Sequence, residues 1–100
     1  MYTIETTQYF SDWLLKLKDR KARSKIAIHL SRMEDGLLGD HKSIGDKLSE
    51  IRIDYGPGYR LYYTMRNNVI ILLLIGGDKS SQSRDIAKAK LLLKEEAKND

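Results

Sequence analysis

From Ser49 to Tyr55 polar and apolar residues alternate, with Ile51 and Ile53 pointing one way and Glu50, Arg52 and Asp54 the other. That period of two predicts a half-buried strand. Gly56-Pro57-Gly58 places a fixed φ between two permissive residues and turns the chain. A second alternating run comes next: Tyr59, Leu61, Tyr63 and Met65 share one face, and Arg60, Tyr62, Thr64 and Arg66 share the other. Asn67-Asn68 tolerates positive φ and predicts a hairpin turn. Every residue from Val69 to Ile75 is apolar, the signature of a central strand covered on both faces, and the run ends at Gly76-Gly77-Asp78-Lys79. The expectation is a three-stranded meander with Arg52 and Arg60 on its non-core face and Lys79 just past its last strand.

The remaining chain reads as helices added to this sheet. Tyr2 to Glu5 is strand-like and short enough to be an extra strand, with Thr6 or Thr7 as the cap of the first helix. Phe10, Trp13, Leu14 and Leu17 fall at i, i+3, i+4 and i+7, predicting that helix from about Thr7 to Lys18, with Trp13 as a core anchor. Asp19 then caps a second helix, Arg20 to Asp35, striped by Ala22, Ile26, Leu30 and Met33 and ended by Gly36. The two form a helical hairpin over one face of the sheet. Gly36 to Lys47 is spaced by glycines without periodicity, and predicts a loop that matches neither a P-loop nor a dinucleotide fingerprint. Ser80 to Ser83 supplies a turn and cap, and Ile86, Ala89, Leu92 and Leu93 stripe a final helix to about Ala97, with Asn99 and Asp100 fraying. The fold class is α+β in the order β-α-α-β-β-β-α, a single domain over residues 1–100.

Composition narrows the chemistry. One hundred residues, 41% of them hydrophobic, suit one compact core. With no cysteine there are no disulfides, thiolate nucleophiles or Cys-ligated zinc, which suits a reducing cytosol. The N-terminal residues lack a basic leader and an apolar h-region, and the longest apolar run is too short for a bilayer, so a soluble cytoplasmic protein without a membrane partner is expected. Eighteen Lys and Arg against fourteen Asp and Glu give a net charge of +4, favouring a polyanion or an acidic partner. Arg20, Lys21, Arg23, Lys25 and Arg32 crowd the exposed side of the second helix, as a solvated face or as a contact for nucleic acid. His29 has no His, Asp or Glu at ligand spacing and reads as a boundary residue, and neither metal nor cofactor is expected.

Several stretches together carry a family likeness: Phe10 with Trp13-Leu14, the Gly36 and Gly39-Asp40 loop, and Ser49-Glu50-Ile51-Arg52-Ile53. Gly56-Pro57-Gly58-Tyr59-Arg60-Leu61-Tyr62-Tyr63, Leu72-Leu73-Leu74 with Gly76-Gly77-Asp78-Lys79, and Gln82 with Asp85-Ile86 complete it. In order and spacing they resemble the HigB-like addiction-module killer proteins of the RelE/ParE superfamily. The resemblance implies a RelE-like fold and the toxin of a type II toxin–antitoxin module, bound in a hetero-oligomer by a cognate antitoxin, often a helix-turn-helix protein. RelE-like members cut mRNA on the ribosome, whereas ParE-like members inhibit DNA gyrase without cutting RNA; a member that only binds its antitoxin is a further alternative. Arg60 matches the sheet arginine used on the scissile phosphate, Lys79 a second basic position, and Arg52, with one residue inserted, a basic position on the neighbouring strand. RelE-like toxins also carry a tyrosine near the start of the last helix, where this chain has Arg84-Asp85.

Cleavage by RNA's own 2′-hydroxyl needs a base, an acid and cations on the phosphorane. Arginine suits only the last role, because its guanidinium forks onto two phosphate oxygens and keeps its proton. Arg52, Arg60 and Lys79 are therefore the candidate catalytic set, Lys42, Tyr62 and Arg66 the candidate RNA contacts, and His41 and Asp78 candidates for acid or base. Against this stands a plain surface role, in which Arg60 pairs with Asp54 across the hairpin and Arg52 loosely with Glu50 or Asp54.

Overall fold

The computed structural model describes residues 1–98. The elements run β1 (Thr3–Thr6), α1 (Gln8–Lys16), α2 (Arg20–Glu34), β2 (His41–Gly45), β3 (Leu48–Ile53), β4 (Tyr59–Arg66) and β5 (Ile70–Asp78), then a 3₁₀ turn (Lys79–Ser81) and α3 (Gln82–Lys98). The five strands form one sheet in the order β1-β5-β4-β3-β2. The expected meander is present, and β1 is the added strand, paired parallel to β5 with Thr3 opposite Ile70.

Local chemistry explains the boundaries. The Thr7 hydroxyl accepts from the Phe10 N–H at 3.1 Å and donates to the Leu74 carbonyl at 2.6 Å, so one side chain both caps α1 and ties it to the sheet. An Asp19 carboxylate oxygen accepts from the N–H groups of Lys21 and Ala22 and starts α2. Asn67 and Asn68 both sit at positive φ in the β4–β5 turn, as their pairing predicts.

Helices cover both faces of the sheet. Phe10, Ala22, Ile26 and Met33 of the helical hairpin pack on Ile51, Ile53, Tyr59, Leu61, Tyr63, Ile71 and Leu73, with Trp13 against them. On the opposite face Ala89 and Leu92 of α3 pack on Leu48, Tyr62, Leu72 and Leu74. A β-bulge makes this division possible: the register steps from Tyr62 opposite Ile75 to Tyr63 opposite Leu73. Leu74 is the extra residue, so Leu74 and Ile75 both join the α3 side and the alternation reverses beyond them.

Two stretches depart from the sequence expectation. His41–Gly45, expected as loop, is an edge strand antiparallel to β3, turned by Asp46 and Lys47 at positive φ. It shows no alternation because it lies at the rim and is exposed along nearly its whole length; apart from Ile44, which packs on the α3-side core, its pairing is carried by backbone. The last strand also runs on through Gly76, Gly77 and Asp78. These glycines are needed for close approach: a Cβ on Gly76 would lie 2.2 Å from the Trp13 ring, and one on Gly77 would lie 1.8 Å from an Asp85 carboxylate oxygen. Asn99 and Asp100, expected to fray, lie outside the described residues.

Candidate functional site

The site is built where β3, β4 and β5 leave the sheet. Arg52 and Arg60 stand directly opposite one another across the β3–β4 ladder, and Arg60 is opposite Gly77 of β5. Two residues beyond Gly77, Lys79 marks the strand end. Its N–H donates to the Gly58 carbonyl at 2.8 Å, fastening the exit of β5 to the β3–β4 turn, where Gly58 sits at φ +82°. Arg52, Arg60 and Lys79 thereby line one open pocket of about 300 Å³, together with Asp40, Asp54, Gly58 and Tyr59. The three cations singled out in the sequence converge on one concavity.

Two guanidinium groups in opposed ladder positions repel, and each is answered by its own carboxylate. Arg60 Nη1 is 2.6 Å from Glu50 Oε2, with side-chain exposures of 13% and 1%. A hydrogen-bonded pair this deep holds Arg60 in one geometry, and removing either partner strands a buried charge. Arg60 Nε is also buried and meets no acceptor among the described residues. Arg52 is bound quite differently, by Asp40 on an open surface: Nε lies 3.2 Å from Oδ2 and Nη2 donates to Oδ1 at 3.2 Å. Asp54 is therefore not the partner of Arg60, contrary to the surface-pair expectation, and Arg52 takes neither Glu50 nor Asp54. Sequence reasoning undervalues Glu50 and Asp40. For Glu50 the available signal is its place two residues along the Arg52 face; for Asp40 there is none, because the strand beside it carries no apolar pattern.

The other candidates scatter. Tyr62 is fully buried under α3, and burial, reinforced by the negative charges of Glu50 and Asp85, pushes its hydroxyl up to about 12. Its ring faces core, which removes the expected stacking role. Arg66 lies six residues along β4, ~20 Å from Arg60 at a strand's rise, and bonds Glu5, with Glu96 4.0 Å away. It belongs to the far end of the sheet and not to the pocket. His41 is opposite Ile51, which places it on the helical-hairpin face, away from Arg52 and Arg60; its Nδ1 is 2.8 Å from the Gly39 carbonyl. Lys42, opposite Glu50, is exposed on the pocket's side of the sheet but does not line it.

Asp78 is the N-cap of the 3₁₀ turn. Its Oδ1 accepts from the Ser80 N–H at 2.9 Å, and the Ser80 hydroxyl bond is the main cause holding its carboxyl below the ordinary range. A carboxylate so stabilised is a poor proton acceptor. Asp78 instead shapes the turn that delivers Lys79. On α2, Arg20, Lys21, Lys25 and Arg32 are exposed and Arg23 is half-buried. Among the described residues no three metal-ligating side chains cluster, and no helix is long and apolar enough to cross a membrane.

RelE toxins are among the solved structures that share this arrangement of strands and helices. The isolated Escherichia coli RelE toxin superposes with a TM-score of 0.65 at 17% identity, covering 88% of this chain and 98% of RelE. The toxin in the intact Escherichia coli RelBE toxin–antitoxin complex gives 0.64 at 16% identity, over 78% of this chain and 96% of that one. A RelE mutant bound to a peptide of the antitoxin RelB gives 0.62 at 16% identity, over 86% and 93%. The chain thus has the RelE-like fold. No family model matches it. It belongs to one family with an uncharacterized protein of Haemophilus influenzae, 49% identical over 92 residues that make up 92% of this chain and 93% of that protein.

Proposed function

We propose that this chain is the toxin of a toxin–antitoxin pair, an endoribonuclease that cuts mRNA on the ribosome, of the HigB-like branch of the RelE/ParE superfamily. The observation that carries the proposal is the meeting of Arg52, Arg60 and Lys79 in one open pocket of a RelE-like sheet. Arg60, fixed from behind by Glu50, presents its remaining N–H groups to the non-bridging oxygens of the scissile phosphate. Arg52 adds a second fork, and the exposed ammonium of Lys79 faces the departing 5′-oxygen. The proton acceptor falls to the pocket carboxylate that Arg52 does not engage, Asp54, since Asp40 is bound to Arg52 and His41 and Asp78 lie elsewhere. A cognate antitoxin, here a small helix-turn-helix protein acting in the cytoplasm, would neutralise the toxin by covering this rim. The solved complexes of RelE with RelB support an antitoxin as partner.

One observation favours a second reading. The last helix begins Gln82-Ser83-Arg84-Asp85, and there is no tyrosine after Tyr63. A ParE-like inhibitor of gyrase, or a chain that binds only its antitoxin, needs no such group. Induced expression combined with primer extension on a reporter mRNA separates the three. The nuclease reading expects growth arrest with discrete cuts, both lost in Lys79→Ala and Arg60→Ala, with cleavage falling on the order of 10² to 10³-fold. Circular dichroism verifies that Arg60→Ala, which strands Glu50, is folded; Lys79 is exposed and its variant is not at that risk. Arrest that persists in Arg60→Ala with intact mRNA transfers the proposal to gyrase. A folded wild type that neither arrests growth nor cuts RNA leaves antitoxin binding alone.

A further inference from the structure

The two arginines of the pocket differ in what their carboxylates can do. Glu50 is buried and has no route away from Arg60. Asp40 is 62% exposed and lies within the pocket itself, where its two oxygens face the Nε and Nη2 edge of Arg52. Two oxygens side by side on a guanidinium edge are also how a phosphodiester binds arginine. Asp40 therefore sits in the seat that a phosphate at Arg52 would take.

The loop carrying Asp40 is held in place. The Arg52 N–H donates to the Asp40 carbonyl at 2.8 Å, so the backbone stays registered even when the carboxylate swings out. Just before it, Gly39 sits at φ +69° and packs so closely on His29 that a Cβ would lie 2.9 Å from the imidazole. His29 Nε2 is 3.2 Å from the Leu38 carbonyl, pinning the same loop to α2. Asp40 is thus delivered to Arg52 by a fixed strap, with only its exposed side chain exchangeable.

We propose that Asp40 is a built-in competitor that occupies the phosphate seat of Arg52 and raises the affinity an incoming anion needs to enter the pocket. The role rests on the reading that this pocket takes an RNA phosphate. An isolated phosphate must displace Asp40 with one set of contacts. An RNA strand brings neighbouring phosphates that hold it nearby while the exchange occurs.

The test uses the full chain labelled with ¹⁵N. Inorganic phosphate is titrated into wild type, Asp40→Asn and Asp40→Glu while the Arg52 Nε resonance is tracked. The proposal expects Asp40→Asn to lower the phosphate midpoint about two- to fivefold, the range for removing one exposed charged competitor, with Asp40→Glu staying near wild type. An unchanged midpoint in Asp40→Asn overturns it, as does an equal gain in Asp40→Glu. In parallel, a 2′-O-methyl RNA that cannot be cut is titrated by fluorescence anisotropy, with tightening of the same size expected in Asp40→Asn. If inorganic phosphate binding tightens while no variant binds the RNA, the competitor role stands and the RNA reading falls.

Discussion

The two faces of one sheet are built to different rules. Toward the helical hairpin, β3, β4 and β5 present Ile51, Ile53, Tyr59, Leu61, Tyr63, Ile71 and Leu73, an unbroken apolar layer filled by Phe10, Ile26 and Met33. Toward α3 the same strands present an apolar patch around Tyr62 and Leu74 and, beyond it, Glu50, Arg52 and Arg60. Burying charge and opposing like charges both work against folding. The α3 face tolerates them because the hairpin face supplies an uninterrupted core through the same backbone.

The contrast is sharpest when each face is damaged in turn. Glu50→Ala should cost about 3–5 kcal/mol by leaving Arg60 half-buried without a counter-charge, read as a fall in the urea midpoint. Replacing both partners, Glu50→Leu with Arg60→Met, should recover most of that stability while abolishing the proposed cleavage. Phe10→Ala should cost a similar amount, about 3–5 kcal/mol, through a cavity in the apolar layer, with RNA binding by the folded fraction unaltered. If Glu50→Ala left stability unchanged, the pair would be no more than surface electrostatics.

Smaller effects probe the adjacent glycines. Gly76→Ala drives a methyl into the Trp13 ring on the hairpin side and should cost about 1–3 kcal/mol. Gly77→Ala meets the Asp85 carboxylate and the Ser81 hydroxyl on the α3 side, and because that carboxylate is buried and bonded to Ser81 its cost should be of similar size. Thermal melts of the two variants check both.

Alkali distinguishes the faces more gently. The hydroxyl of Tyr62 is pushed up to about 12, so the neutral phenol is favoured in the fold. Its contribution is complete below the unfolded value near 10 and is lost as pH rises from there toward 12. Tyr59 and Tyr63 are raised by burial too. Urea midpoints between about pH 9 and 12 should decline, less steeply in Tyr62→Phe. Least of all, Arg52→Ala should change stability by about 0.2–1 kcal/mol, because its partner Asp40 is exposed.

How legible each part is in the sequence depends on where its signal originates. The meander, the helical hairpin, the caps at Thr7 and Asp19 and the turn at Asn67-Asn68 are legible because their causes are local: a period, a hydroxyl or carboxylate at the right offset, a tolerated positive φ. The edge strand His41–Gly45 is not, because its pairing is mainly a backbone matter that leaves no apolar alternation. The extension of the last strand is hidden by two glycines, which usually punctuate strands and here admit Trp13 and Asp85. Within the pocket, the convergence of Arg52, Arg60 and Lys79 can be read from strand alternation together with the family likeness. Their partners cannot, since Asp40 reaches Arg52 from twelve residues away along the chain. Tyr62 misleads for another reason: the shared face is open only near Arg60, and α3 closes over the rest.

The parallel pairing of β1 with β5 sets a timetable for the molecule. The Thr7 hydroxyl that caps the first helix bonds a carbonyl 67 residues further on, at Leu74. While the chain is being synthesised, β1 has nowhere to dock until β5 has emerged. The rim that gathers Arg52, Arg60 and Lys79 likewise waits for the end of β5. A polypeptide released before β5 would therefore carry neither a paired β1 nor an assembled cationic cluster.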